Sequence, residues 1–447
     1  MKFIPNSDLK KEMLDEIGLK NVDELFSDIP KKIRVDELNL PEGLSQRETE
    51  KKLRKIGSKN KDFNHLLSFL GGGIKPHYVP AVVKSIISRS EFYSAYTPYQ
   101  SEASQGFLQA IFEYQSMIAD LTGMDVANAS LYDGPTSLGE AALMCSRVKR
   151  KKKKFVVPEN ISREKKSILK NYVRGADLEI EYIDFDEKSG RIDVSKLEEI
   201  VDEKTAGVYV ENPNFFGVFE NQVEEIEKIV HNANSLFVVG VDPFSLGIVK
   251  NPGEYNADIV IAEGSGLGIP IDFGGSSLGV FACKKKFLRK MPGRIIGLTE
   301  DEDGKQSFCM SLQTREQHIR RGRATSNICT NQGLCALACC VYLSWLGGEG
   351  LQEIGETNFE NGQKLMSILR DIDGFNRRFN GVHFNEMVIK YDGDVETLND
   401  RLLNHDIQGG LPVDSLPGLD NCMLFGVTEV YGDDDFERLN KVLQEEA

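Results

Sequence analysis

Through the first 60 residues, apolar side chains recur three or four positions apart, the spacing of one face of a helix. Leu9, Met13, Leu14 and Ile17 follow Ser7 and stop at Gly18; Val22, Leu25, Phe26 and Ile29 follow Asn21, a residue able to cap a short helix. Ser45 and Glu48 have the spacing of a capping box ahead of Leu53 and Ile56, and Gly57 ends that run. Too few apolar residues are present for a core of their own. Residues 1–60 therefore read as a helical arm that packs elsewhere.

From about Phe63 to Cys329 the period changes. Short apolar runs at 155–157, 178–183, 207–210, 236–241, 259–262 and 278–282 are separated by helical stretches such as 223–233. Such alternation predicts a mostly parallel sheet covered on both faces. Two runs end in turn residues, Glu211-Asn-Pro-Asn214 and Asp242-Pro243. In open α/β sheets the ligand crevice lies at those carboxyl ends, which brings Asn212, Asp242 and the turn at Gly134 toward one another. Beyond about Ala338 come a helix over 350–369, a strand over 384–390, a helix over 395–403, a strand over 422–427 and a closing helix over 434–443. The predicted organisation is a helical arm (1–60), a large α/β domain (61–337) and a small C-terminal α+β domain (338–447).

Composition narrows the function classes. A chain of 447 residues exceeds one ordinary core. With 40% apolar and 28% charged residues it is of the soluble globular kind. A net charge of −15 argues against general nucleic-acid binding, because phosphates repel it. The basic block 149–154 follows a helical pattern, where cations complement the negative end of the helix dipole. Eight cysteines without a secretory signal predict reduced thiols in a cytosol. Cys335, Cys339 and Cys340 fall at helical spacing with no accompanying histidine, so they read as core residues and no metal site is expected. The longest apolar run, 334–346, is shorter than the ~20 residues that span a bilayer, and no membrane segment is expected.

Three longer motifs carry the chemistry. They are Tyr96-Thr-Pro-Tyr-Gln100, Leu121-Thr-Gly-Met-Asp-Val-Ala-Asn-Ala-Ser130, and Gln313-Thr-Arg-Glu-Gln-His-Ile-Arg-Arg321 followed by Ala324-Thr-Ser-Asn-Ile-Cys-Thr330. In this order, over more than 200 residues, they resemble the P-protein (glycine decarboxylase) family of the glycine cleavage system. Within it they are similar to the subunit 1 type, or the N-terminal half where the P-protein is one long chain. The resemblance implies the aspartate-aminotransferase-like fold (fold type I) of pyridoxal phosphate (PLP) enzymes. That fold has a helix N-terminus for the phosphate, an aspartate for the pyridine nitrogen and a lysine for the Schiff base.

By that resemblance the phosphate cup is the turn Asp133-Gly-Pro-Thr-Ser137, with Gly134, Thr136 and Ser137 as its residues. Pro135 removes one donor there and Asp133 adds a negative charge. Ser137 and Glu140 also have the spacing of a plain capping box, so an ordinary helix start stays open. Asp242 is the candidate partner of the pyridine nitrogen, against a plain strand-end turn with Pro243. The lysine should follow the strand at 258–262, but the chain reads Glu263-Gly-Ser-Gly-Leu-Gly-Ile-Pro270 and has no lysine from 251 to 283. Lys250 precedes that strand and Lys284 lies beyond the next. Without a resident amine no catalytic residue is assigned to this chain.

The family supplies the complement. In two-subunit P-proteins the lysine with its PLP is on subunit 2, and this chain is the degenerate companion in a heterodimer or α2β2 assembly. The complex decarboxylates glycine and passes the aminomethyl group to the lipoamide of H-protein, with the T- and L-proteins completing the system. Tyr96, Tyr99 and Gln100 are candidates for a substrate wall or interface, with a packed tyrosine-rich loop as the plain alternative. Arg320 and Arg321, with Arg323, are candidates for handling anionic groups or for pairing between domains. A self-sufficient PLP-dependent aminotransferase or decarboxylase is the competing function, and the missing lysine weighs against it.

Overall fold

The fold is given by a computed structural model that describes residues 7–446 apart from Asp36, Asn64, Ile74, Ser94 and Ala95. Contacts divide the chain into two units, Met1–Lys61 and Asp62–Ala447. Ser94 and Ala95, within the aromatic segment, lie outside the described residues.

In the first unit the helices run over Lys10–Glu16 and Gln46–Gly57. The second of these has the full capping box: the Glu48 N–H donates to Ser45 Oγ at 3.3 Å and the Ser45 N–H donates to Glu48 Oε2 at 3.0 Å. Asn21 accepts the Glu24 N–H at 3.1 Å, but what it caps is a single 3-10 turn, Val22–Phe26, rather than an α-helix. Short 3-10 turns of this kind are common as connectors.

In the second unit the longer helices that flank the sheet are α1 (Gln105–Thr122), α2 (Gly134–Val148), α3 (Arg163–Val173) and α4 (Val223–Asn232). The strands are β1 (Val126–Ala127), β2 (Lys154–Pro158), β3 (Glu179–Ile183), β4 (Thr205–Asn212), β5 (Leu236–Val241), β6 (Ile259–Glu263) and β7 (Gly279–Cys283). They form one seven-stranded sheet in the order β1-β7-β6-β5-β4-β2-β3. The five strands from β6 to β3 are parallel; β7 pairs antiparallel with β6, and β1 antiparallel with β7.

Every residue of β4 and β5 is buried, which is the mark of a sheet covered on both faces. Val208, Val210, Phe237 and Val239 turn to one core with Leu108, Ile111 and Ile118 of α1. Tyr209, Leu236 and Val238 turn to the other with Leu138, Ala141 and Met144 of α2 and Leu169 of α3. The period of two is thus intact, and each such aliphatic contributes about 1.5–3 kcal/mol by leaving water. Helix packing on the second face depends on Gly139, where a Cβ would stand 2.5 Å from the Tyr172 ring of α3.

A hairpin of β8 (Ile295–Glu300) and β9 (Gln306–Ser311) leads to the long helix α5 (Gly333–Arg370). Among the described residues α5 alone is long and apolar enough to cross a bilayer. Gly347, at φ +65° and ψ −177°, breaks it, and its first half packs against α1 with Cys339, Cys340 and Tyr342 buried. After α5 come β10 (Phe375–Arg377), β11 (Glu386–Tyr391), α6 (Val395–Asn404), β12 (Leu411–Pro412), β13 (Cys422–Gly426) and α7 (Asp433–Glu446). The four strands form an antiparallel sheet, β10-β11-β13-β12. Leu365 and Leu369 of α5, Leu398 and Leu402 of α6, and Phe436 and Leu439 of α7 pack into its core.

The basic block is absorbed locally. The Lys149 ammonium donates to Asn234 Oδ1 at 2.6 Å, Lys152 to the Ala233 carbonyl at 2.7 Å, and Lys154 pairs with Glu181 and Asp202.

Candidate functional site

Three parallel-sheet features meet at the carboxyl edge: the N-terminus of α2, the end of β5 at Asp242 and the end of β6 at Glu263. Asp133 is the N-cap of α2, extended at φ −160°, and its Oδ1 accepts the Thr136 N–H at 2.6 Å. The Gly134 N–H donates to Glu263 Oε2 at 2.9 Å. Glu263 Oε1 accepts the Ser265 N–H at 3.0 Å and the Leu278 N–H at 2.9 Å. One carboxylate therefore ties the start of α2 to both ends of the loop that separates β6 from β7. Burial pushes the Glu263 carboxyl above its usual range, against the lowering effect of those three amides. Gly134 makes room for this approach: a Cβ there would stand 3.1 Å from the Glu263 Cβ, a tight contact.

The capping-box alternative for Ser137 and Glu140 is not what forms. The helix begins three residues earlier, so Ser137 lies in its first turn and its hydroxyl donates back to the Asp133 carbonyl at 2.9 Å. Glu140 is fully buried instead, accepting the Ser326 hydroxyl at 2.6 Å with Arg147 at 3.6 Å.

Asp242 ends β5, and its Oδ1 accepts the Phe244 N–H at 3.0 Å. Its Oδ2 faces the Lys75 ammonium at 3.5 Å. The Lys75 side chain is only 3% exposed and donates to Glu386 Oε2 at 2.9 Å. Glu386 Oε1 is in turn held by the N–H groups of Gly72, at 2.6 Å, and Gly73, at 3.0 Å. Burial disfavours the Lys75 charge, but Glu386 and Asp242 more than offset it, so its pKa rises. Burial likewise opposes the Glu386 charge, and Lys75 with the two amides holds it below its usual range. Beside this pair the His77 ring stacks on Phe244 at 4.1 Å and its Nδ1 lies 2.9 Å from Glu429. The space left between Lys75 and Ser265, Gly266, Ile269, Ser276 and Ser277 is about 30 Å³, room for a water or two.

A second cluster joins two of the long motifs. Arg294, buried, donates to Thr97 Oγ1 and to the Tyr99 hydroxyl, each at 3.2 Å, and lies over the Tyr99 ring at 5.5 Å. It also reaches the Cys329 carbonyl, Asn331 Oδ1 and Glu316 Oε2. His318 meets the Tyr99 ring edge-on at 5.6 Å. Tyr96 is 77% exposed, and Gln100 is exposed with its carbonyl accepting the Ala103 N–H. Arg320, Arg321 and Arg323 are all exposed. The Arg320 Nε donates to the Thr314 carbonyl at 3.1 Å, and Arg321 stands at φ +51°, a strained backbone for a side chain of its size.

Among the sequence-derived candidates, Gly134, Thr136, Ser137 and Asp242 thus line the carboxyl edge of the sheet, while Tyr99 packs around Arg294. Lys75, Glu263, Glu386 and Arg294 were not singled out from the sequence. Lys75, a lone cation after Gly71, Gly72 and Gly73 in an otherwise apolar stretch, is the one signal that was available. Among the described residues no group of three or more His, Cys, Asp or Glu side chains is placed to hold a metal ion.

Residues 1–443 match the glycine cleavage system P-protein family. The chain belongs to that family. A chain of Thermococcus onnurineus (strain NA1) called probable glycine dehydrogenase (decarboxylating) subunit 1 is 49% identical over 448 residues, covering 100% of this chain and 99% of that one. A crystal structure of glycine decarboxylase (P-protein) of the glycine cleavage system, in inhibitor-bound form, is 37% identical with a TM-score of 0.91 over 100% of both chains. A glutamate decarboxylase of Lactobacillus brevis is 13% identical with a TM-score of 0.68, over 93% of this chain and 96% of that one, a likeness of fold alone. The architecture of this P-protein family member is the fold type I arrangement of PLP enzymes, with its large α/β part, small C-terminal α+β part and helical N-terminal arm.

The residues at this chain's own crevice do not fit PLP. Two of the amides that would take a phosphate, those of Gly134 and Thr136, are held by carboxylates, and the carboxylate that would take a pyridinium is held by an ammonium.

Proposed function

We propose that this chain is the subunit of glycine decarboxylase that shapes the active centre without carrying its cofactor. With subunit 2, in a heterodimer or an α2β2 assembly, it decarboxylates glycine on PLP held by a lysine of that partner. The aminomethyl group then passes to the lipoamide of H-protein, within a system completed by the T- and L-proteins. The partner's cofactor supplies the electron sink for the charge left when CO2 departs. This chain contributes a wall. Arg294 fixes Thr97 and Tyr99, which leaves Tyr96 exposed at the edge of the segment, as a surface for substrate or partner. All eight cysteines are free thiols, which supports a place in the reducing cytoplasm.

The observation that carries this reading is the residue that closes β6. In a chain matched to the P-protein family along its length, residues 251–283 contain no lysine and β6 ends in Glu263. The test is carboxyl exchange between glycine and bicarbonate. Exchange is expected when the chain is combined with subunit 2 and H-protein, and none above background from this chain with H-protein alone. Exchange by the chain without a partner overturns the reading. A self-sufficient enzyme is favoured by one observation only, the buried Lys75 in the crevice; that ammonium is already shared by two carboxylates.

A further inference from the structure

The backbone nitrogens of residues 134–137, at the start of α2, can be followed one by one. Gly134 gives its N–H to Glu263, Pro135 has none, Thr136 gives its N–H to Asp133 Oδ1, and Ser137 gives its own to the Asp133 carbonyl at 3.0 Å. These are the donors through which a helix terminus holds an anion. The Gly134 and Thr136 N–H groups are both spent on carboxylates, and the Ser137 N–H makes the first intrahelical bond. At the opposite side, Asp242 Oδ1 takes a backbone N–H and Oδ2 takes Lys75. Lys75 cannot swing away without stranding Glu386, whose other oxygen is fixed by two glycine amides. The arrangement has an anionic group on the helix terminus and a cationic nitrogen on the strand-end aspartate, both from the chain itself.

We propose that this crevice is closed from within: Glu263 stands where a phosphate would sit on α2, and Lys75 stands where a ring cation would sit on Asp242. The chain therefore excludes a phosphorylated pyridine rather than holding one weakly. This rests on the reading of the crevice as the counterpart of a cofactor site. It goes beyond the missing lysine, because loss of the Schiff-base amine alone would still leave a pocket able to bind PLP non-covalently. Two of its own charges now hold the fold where a ligand would have. Glu263 has a further role in the same place, since it pins both ends of the loop between β6 and β7 to α2. A dianion entering there would meet the carboxylates of Glu263 and Asp133 at the helix start.

The test uses the full chain and its melting temperature in inorganic phosphate, in pyridoxine 5′-phosphate and in ionic-strength-matched chloride. Pyridoxine 5′-phosphate lacks the aldehyde and cannot react with surface lysines. For the wild-type chain neither phosphate compound is expected to raise Tm beyond the chloride control at millimolar concentration. Glu263→Ser is expected to melt lower and to be restored saturably by inorganic phosphate, which binds the vacated amides and stabilises in proportion to ln(1 + [L]/Kd). If Glu263→Ser does not fold on expression, refolding from denaturant is the readout. Recovery in phosphate and not in chloride supports the proposal, and recovery in neither overturns it. A saturable shift of the wild-type chain by pyridoxine 5′-phosphate also overturns it, as does a serine variant that responds to phosphate no more than wild type. These outcomes leave the decarboxylase reading to its own test, because carboxyl exchange with the partner does not depend on what fills this crevice.

Discussion

Lys75 joins two carboxylates of the crevice through one buried ammonium. It is buried between Asp242 and Glu386, and removing one member of such a group leaves charge without compensation. Lys75→Met is therefore expected to destabilise the chain by about 3–5 kcal/mol at neutral pH, measured by denaturant unfolding. The pH dependence has a definite sign. Glu386 has a depressed folded pKa, so its contribution is present above the unfolded value of about 4.3 and is lost as pH falls through the folded value. The gap between wild type and Lys75→Met should accordingly narrow on acidification below about pH 4. A gap that stays constant with pH would show that packing of the lysine stem, not its charge, is what matters. Asp242 was legible in the sequence because a strand-end aspartate before proline has a local pattern. Lys75 carried one local hint, a single cation after three glycines, but its meeting with Asp242 and Glu386, and Glu386 itself, come only from the fold. Glu263 entered the sequence reading only as the start of a stretch without lysine. Its closing of the helix terminus needed the geometry.

At the level of elements, the strands of the parallel sheet follow from their apolar runs within a residue or two, since burial on both faces leaves little ambiguity. The start of α2 was less legible. Asp133 and Ser137 are both good caps by type, and the choice was made by where β6 puts Glu263 against Gly134. The arginines of 320–323 were singled out by motif, whereas the buried one that gathers the motifs is Arg294, which no local pattern marks. The helix Gln46–Gly57 has its capping box as read, but leaves Leu53 and Ile56 exposed, as Lys10–Glu16 leaves Met13. We propose that this apolar face, which has no core of its own, is a surface for the partner subunit. Deletion of residues 1–60 is expected to leave the remainder folded, with its melting transition retained, and to abolish co-purification with subunit 2. Undiminished co-purification would contradict the role given to this arm.

At the scale of the whole molecule, the proposed function is a division of labour within one fold. On the function proposed above, two chains of the same architecture share an active centre, one holding the cofactor and the other holding its shape. The present chain has filled its own crevice with a carboxylate and an ammonium, and keeps the tyrosine segment fixed by Arg294. The most direct measurement of that claim is chemical trapping in the assembled enzyme. The complex of this chain with subunit 2 is reduced with borohydride in the presence of PLP, digested, and searched for pyridoxyl-lysine by mass spectrometry. One stoichiometric adduct is expected, on a lysine of subunit 2, with this chain unlabelled. A stoichiometric adduct on this chain, whether on Lys75, Lys250 or Lys284, would contradict the account.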